Sequence, residues 1–206
     1  MSINVLNITA SIFGDSGVSS QLNNYALEQL RTHFSDIKVI HRDVGENELP
    51  HFNAETMAAV SQNEAELADT LIAELQQADI VLLGVPMYNF GVPSQLKAWF
   101  DHVARAGTTF KYTESGPVGL LRDRKVIINA SRGGIYAGQS SDTQTPYLKT
   151  FLAFLGLKDV EFNYAEGLNL QGDSREKSIE KAKLTLDRMM NTFVQHYAQA
   201  NAEEAI

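Results

Sequence analysis

The chain has 206 residues, of which 44% are apolar and 20% charged, with a formal net charge of −8. That length suits one domain able to bury roughly 70% of the surface its unfolded chain exposes, without disulfides or a structural metal. The absence of cysteine excludes thiolate nucleophiles, thiol redox centres and Cys-ligated zinc, and the dispersed acidic charge speaks against a nucleic-acid-binding face.

The predicted elements alternate along the chain. Ile3–Thr9 reads as a first strand, and Ser19–Phe34 as a helix with Leu22, Tyr25, Ala26, Leu30 and Phe34 near helical period. Ile37–Arg42 is a second strand. After a polar region comes a helix ending near Gln77, with Leu67, Leu71, Ile72 and Leu75 on one face, then a third strand, Asp79–Val85. Ser94 is placed to cap the next helix, whose stripe is Leu96, Trp99, Phe100 and Val103. Lys125–Ser131 is a fourth strand and Thr145–Gly156 a helix with Pro146 early and Gly156 at its end. Val160–Ala165 is a fifth strand. The last helix begins near Asp173, with Glu176 as a capping-box partner, and a frayed tail is expected over about 200–206.

This βα alternation predicts an α/β fold, a doubly wound parallel sheet with helices on both faces, in one domain spanning 1–206. Strands three and four are nearly continuous apolar runs, as in strands covered on both sides. The second carries Lys38, His41 and Arg42, and the fifth alternates Val160, Phe162 and Tyr164 against Glu161 and Asn163. Placing these two at the edges gives the flavodoxin-like order 2-1-3-4-5, with a ligand beyond the strand C-termini. Ala106–Leu121 breaks the alternation. Its Thr, Phe and Tyr content and its Ser-Gly-Pro turn predict a hairpin-like excursion.

Three loops meet at the strand C-termini in such a sheet. The first, Ala10–Ser20, is rich in Ser and Gly and runs straight into a helix, whose N-terminal amides suit an anion. Ser11, Ser16, Ser19 and Ser20 can add hydroxyl donors. The loop has no Lys or Arg and no GxxxxGK[ST] pattern, which fits a phosphomonoester better than a triphosphate. The second loop, "PMYNFGVP" (Pro86–Pro93), places Tyr88 and Phe90 where a buried strand surfaces. The third, Ser131–Asp142, exposes the amides of Gly133 and Gly134. A planar phosphorylated cofactor would use all three loops, and flavin mononucleotide (FMN) is the natural candidate. The side chain of Arg132 reads equally as an anion contact or a surface arginine.

The five histidines lie far apart in no ligand spacing, so no metal site is expected. No GxSxG elbow is present. No run approaches 18 apolar residues, and "MSINVLNITAS" lacks a charged leader. Neither a membrane helix nor a signal peptide is therefore expected, and the expected compartment is the cytoplasm.

"PMYNF", "ARAGTTFKYTESGP" and "SRGG" together resemble the FMN-dependent NADH-azoreductases, also described as NADH:quinone oxidoreductases, and the similarity runs over essentially the whole chain. The resemblance implies that Ser11, Gly17, Val18 and Ser19 hold the FMN phosphate. It places Met87, Tyr88, Asn89 and Phe90 along the isoalloxazine and ribityl chain, and Ser131, Arg132, Gly133 and Gly134 at the pyrimidine end. Tyr112, Tyr136 and Phe154 would border the substrate pocket of a homodimer, some from the partner subunit. Here Gly17-Val18 stands where Ser-Gln is common, and Tyr136 where some members carry His. The resemblance also implies hydride transfer from NADH via flavin N5 to a small-molecule quinone or azo acceptor, by a ping-pong scheme. No catalytic side chain is assigned, and protons come from water. A one-electron carrier or a non-catalytic flavin sensor is the alternative.

Overall fold

The computed structural model describes residues 2–47, 49–62 and 64–203. Five strands, β1 (Ser2–Thr9), β2 (Asp36–Asp43), β3 (Ile80–Pro86), β6 (Lys125–Ser131) and β7 (Val160–Ala165), form one parallel sheet in the order β2-β1-β3-β6-β7. This is the predicted 2-1-3-4-5 order, with the polar strands at the edges. β4 (Phe110–Thr113) and β5 (Gly116–Gly119) make a separate antiparallel hairpin. The helices are α1 (Val18–His33), α2 (Ala54–Gln62), α3 (Glu66–Gln77), α4 (Ser94–Val103), α5 (Gln144–Leu155) and α6 (Ser174–Glu203).

Successive strand residues point to opposite faces, and the apolar runs divide accordingly. Leu6 and Ile8 of β1, Val81 and Leu83 of β3, and Val126 and Ile128 of β6 pack under α3, α4 and α5 with Trp99, Phe100 and Leu152. Val5, Ile80, Leu82 and Ile127 face the other way, against Leu22, Leu27 and Leu30 of α1 and Leu186 and Met190 of α6. Each large apolar side chain so buried contributes about 1.5–3 kcal/mol before entropy is counted.

A row of asparagines interrupts the second layer. Asn23 of α1 donates to Asn7 Oδ1 at 2.7 Å and to the carbonyls of Ile8 and Leu82. Asn129 donates to Asn23 Oδ1 at 2.8 Å, and Asn163 to Asn129 Oδ1 at 2.7 Å. An unpaired buried amide costs about 1–3 kcal/mol, so such a row is tolerated only where its members bond one another. It pins the start of α1 to the sheet. Gly84 permits the approach, since a Cβ there would meet the Ser19 carbonyl at 3.1 Å. Asn163 stands on the polar side of the alternation in β7, yet it is fully buried beneath α6.

Other details depart from the expectations. α2 lay unrecognised in the polar stretch because none of its residues is buried. Ser94 opens α4 but Pro93 holds the cap position, and no side chain caps that helix. Asp173 pairs with Lys177 at 3.1 Å, and no capping-box hydrogen bond to Glu176 forms among the described residues. α5 runs from Gln144 to Leu155, with Gly156 at φ +106° as its left-handed terminator. α6 continues through Glu203, into the stretch where fraying was expected, and residues 204–206 lie outside the described residues.

Candidate functional site

The loops after β1, β3 and β6 meet at the C-terminal ends of the strands. Between them lies a cleft of about 240 Å³. Ser11, Ser16, Gly17 and Val18 line one end, Met87 and Tyr88 one wall, and Ser131, Arg132 and Gly133 the floor. Asn89, Phe90 and Gly134 belong to the same loops but not to the lining. Ser19 sits one residue inside α1, fully buried.

The first end is built as a nest of donors. A 3₁₀ turn, Gly14–Ser16, leads through Gly17 into α1. The first amides of a helix have no intrahelical acceptor. Among the described residues, those of Val18, Ser19 and Ser20 have no other hydrogen-bond partner. The hydroxyls of Ser19 and Ser20 are buried and also unpartnered. Gly17 has an ordinary backbone conformation, but a Cβ there would fall 2.1 Å from Ser11 Oγ. Glycine is needed at this position for space rather than for φ.

The wall is a tight two-residue turn. Tyr88 and Gly91 exchange backbone hydrogen bonds at 3.2 and 2.9 Å, and the residues between them, Asn89 and Phe90, have φ of 49° and 66°. Left-handed backbone in a bulky residue costs about 1–3 kcal/mol and persists only where neighbours hold it. Here Thr143 Oγ1 donates to the Phe90 carbonyl, and Gln144 Nε2 donates to the carbonyls of Pro86 at 3.1 Å and Gly91 at 3.0 Å. Phe90 is 53% exposed and meets Tyr136 edge-on at 5.7 Å. The Tyr88 hydroxyl accepts from the Ile12 amide at 3.3 Å, joining this turn to the first loop.

The floor hangs on Arg132. Its residue exposure is 1%, so it is not a surface arginine. The guanidinium donates to both carboxylate oxygens of Asp142 at 3.0 and 3.1 Å, to Glu166 at 3.1 Å, to Gln144 at 3.2 Å and to Thr145 at 2.8 Å. It also lies 4.7 Å from the centre of the Tyr164 ring. Burial alone would raise the Asp142 pKa. The Thr145 amide and hydroxyl and the Arg132 charge outweigh it and hold the carboxyl below the ordinary range. Glu166 Oε1 also accepts the amides of Tyr136 and Ala137, both at 2.8 Å. The loop from Gly133 to Asp142 is thereby held at its start, middle and end. The carbonyls of Gly133 and Gly134 accept from Asn169 and Gly167, but among the described residues their own amides have no partner.

A fourth loop, between β7 and α6, was not anticipated. It adds Leu168 and Asn169 to the lining, the first turn of α6 adds Arg175, and Phe13 joins from the first loop. Nothing in the local sequence near residue 169 signals a site. Only the pairing of 167–169 with 132–134 brings it there. Tyr112 and Phe154 are not in the cleft. They cluster around Phe110, with ring centres at 5.4 and 4.2 Å, where the hairpin packs on the far end of α5. At 1.5 Å per residue, Phe154 lies about 15 Å along α5 from Gln144.

Among the described residues, the cleft thus has backbone amides without partners beside it at the start of α1 and in the loop after β6. Among the described residues, no cluster of His, Asp and Glu could hold a metal, and no helix is long and apolar enough to cross a membrane.

Residues 3–190 match a family model described as flavodoxin-like fold. The FMN-dependent NADH:quinone oxidoreductase of Saccharophagus degradans is 52% identical over 186 residues, covering 86% of this chain and 88% of that protein. The FMN-dependent NADH:quinone oxidoreductase of Cellvibrio japonicus is 50% identical over 194 residues, covering 89% and 96%. The crystal structure of azoreductase from Bacillus anthracis superposes with a TM-score of 0.82 at 27% identity, over 93% of this chain and all of that one. With more than half the chain in the family model and half of the aligned residues identical to those relatives, the chain belongs to the flavodoxin-like-fold family and, within it, to the FMN-dependent NADH:quinone oxidoreductases.

Proposed function

We propose that this protein binds FMN in the four-loop cleft and passes hydride from NADH to quinones and aromatic azo compounds in two successive half-reactions, as a cytoplasmic homodimer. The observation that carries this reading is the pair of unpartnered donor sets among the described residues, Val18–Ser20 and Gly133–Gly134, of which Val18 and Gly133 line the cleft. They suit a phosphate ester and the carbonyl-bearing edge of a planar ring. When bound, FMN supplies the chemistry, accepting hydride at N5 and delivering it to the second substrate.

The residues of the chain do the rest. The helix N-terminus orders the phosphate. The Gly133 and Gly134 amides are preorganised donors for negative charge that develops at the ring edge, since Arg132 and Glu166 already fix their loop. Exposed apolar side chains, Ile12 and Phe13 on the first loop, Phe90 on the second, Ile135 on the third and Leu170 on the fourth, rim the opening and favour flat apolar acceptors. Tyr112 and Phe154 lie outside the cleft lining in their own chain. A second subunit supplying them to its neighbour's pocket accords with the homodimer. Among the cleft-lining residues, none is a carboxylic acid or histidine, which supports water as the proton source.

The test is steady-state kinetics on FMN-loaded protein with NADH and benzoquinone both varied. Parallel double-reciprocal lines are expected. Converging lines would overturn the two-stage scheme, and bound flavin that NADH does not bleach would overturn the reductase reading in favour of a carrier.

A further inference from the structure

The first loop contains no cation, yet a phosphate monoester carries close to two negative charges at neutral pH. Two arginines are among the residues that line the cleft, Arg132 and Arg175. Arg132 is spent, because Asp142 and Glu166 neutralise its fully buried guanidinium. Arg175 is exposed and has no ion pair or side-chain hydrogen bond among the described residues.

Its position is set by the fold. Ser174, the residue before it, donates from Oγ to the carbonyls of Gly167 and Leu170, both at 3.0 Å. Gly167 in turn donates to Gly134 at 2.9 Å and Asn169 to Gly133 at 3.0 Å. The Asn169 side chain lies against Gly133, where a Cβ would meet its Nδ2 at 2.6 Å. This chain of contacts fastens the first turn of α6 to the cleft floor and places Arg175 in the same lining as Ser11, Ser16, Gly17 and Val18. Its neighbours Asp173 and Lys177 pair with each other. Arg175 is left as the one uncommitted cation of the cleft among the described residues.

We infer that Arg175 is the charge-selecting residue of the cofactor site, pairing with the phosphate dianion so that the chain prefers FMN to unphosphorylated riboflavin. The inference rests on the flavin-site reading above. The test is a pair of fluorescence-quenching titrations, FMN and riboflavin, on the apoprotein and its Arg175→Gln and Arg175→Lys variants at low and high salt. Arg175→Gln should weaken FMN binding roughly tenfold, the scale of a partly solvated charged hydrogen bond, and leave riboflavin unchanged within about twofold. Arg175→Lys should recover most of the loss, and about 0.5 M salt should shrink the difference. FMN affinity unchanged in Arg175→Gln, or FMN and riboflavin weakened equally, overturns the assignment. Wild-type protein that binds neither flavin overturns the functional reading itself, which separates the two failures.

Discussion

Replacing Asp142 with alanine probes the claim that a buried ionic hub, rather than the apolar core alone, shapes the floor of the cleft. The substitution removes four hydrogen bonds at once, two from Arg132 and two from Thr145. Arg132 cannot turn to water, since its side chain is wholly buried, and Glu166 at 3.1 Å becomes its one carboxylate partner. Removing one partner of a buried pair costs about 3–5 kcal/mol. With Glu166 retained, the low end applies, about 3 kcal/mol. For a chain of this size that is a Tm lower by roughly 6–12 °C. Thermal and urea unfolding would measure it, and a loss below about 1 kcal/mol would refute the hub. The double variant Arg132→Met with Asp142→Leu should lose less than Asp142→Ala alone, because the buried guanidinium is gone and Glu166 keeps the Tyr136 and Ala137 amides. The sign of the pH dependence follows from the lowered Asp142 pKa. A carboxyl held below its unfolded value contributes its full stability above about pH 4 and loses it as pH falls through the folded value. The gap between wild type and Asp142→Ala should therefore hold at neutral pH and close only in acid.

Gly17→Ala would place a Cβ 2.1 Å from Ser11 Oγ and 2.5 Å from Ser11 Cβ. It should cost about 1–3 kcal/mol by overpacking and weaken FMN binding, and Ser11→Gly in the same chain should recover part of both. An unchanged FMN titration would show that the first loop does not hold the phosphate. Phe90→Gly relieves a residue at φ 66° but raises the entropy of the unfolded chain, so stability should stay within about 1 kcal/mol of wild type. Its kcat/KM with benzoquinone should fall roughly tenfold, about 1.4 kcal/mol of transition-state stabilisation, as the ring on the rim is lost. A loss of stability beyond about 2 kcal/mol, or unaltered kinetics, would contradict a functional origin for that strain.

Much of the architecture was legible in the sequence because it depends on local periodicity. The nearly continuous apolar runs at Asp79–Val85 and Lys125–Ser131 mark strands covered on both sides, and the charges of β2 mark an edge. Strand order and strand polarity then bring Ser11, Tyr88 and Gly133 together, because every parallel strand ends at the same side of the sheet. What failed were features whose partners lie far along the chain. Asn163 looks polar and exposed in β7, yet its amide is met by Asn129, 34 residues away. Arg132 could pass for a surface charge until Asp142 and Glu166 are seen to close on it. Arg175 sits in a polar stretch with no motif, and only the pairing of 167–169 with 132–134 carries it to a loop more than 150 positions earlier. Local sequence determines which segments are strands, helices and glycine-permitted turns, since those preferences act over a few residues. The burial of a charge, and the lining of the cleft beside it, were decided by tertiary structure alone, because desolvation and ion pairing depend on which distant groups the fold brings within hydrogen-bonding distance.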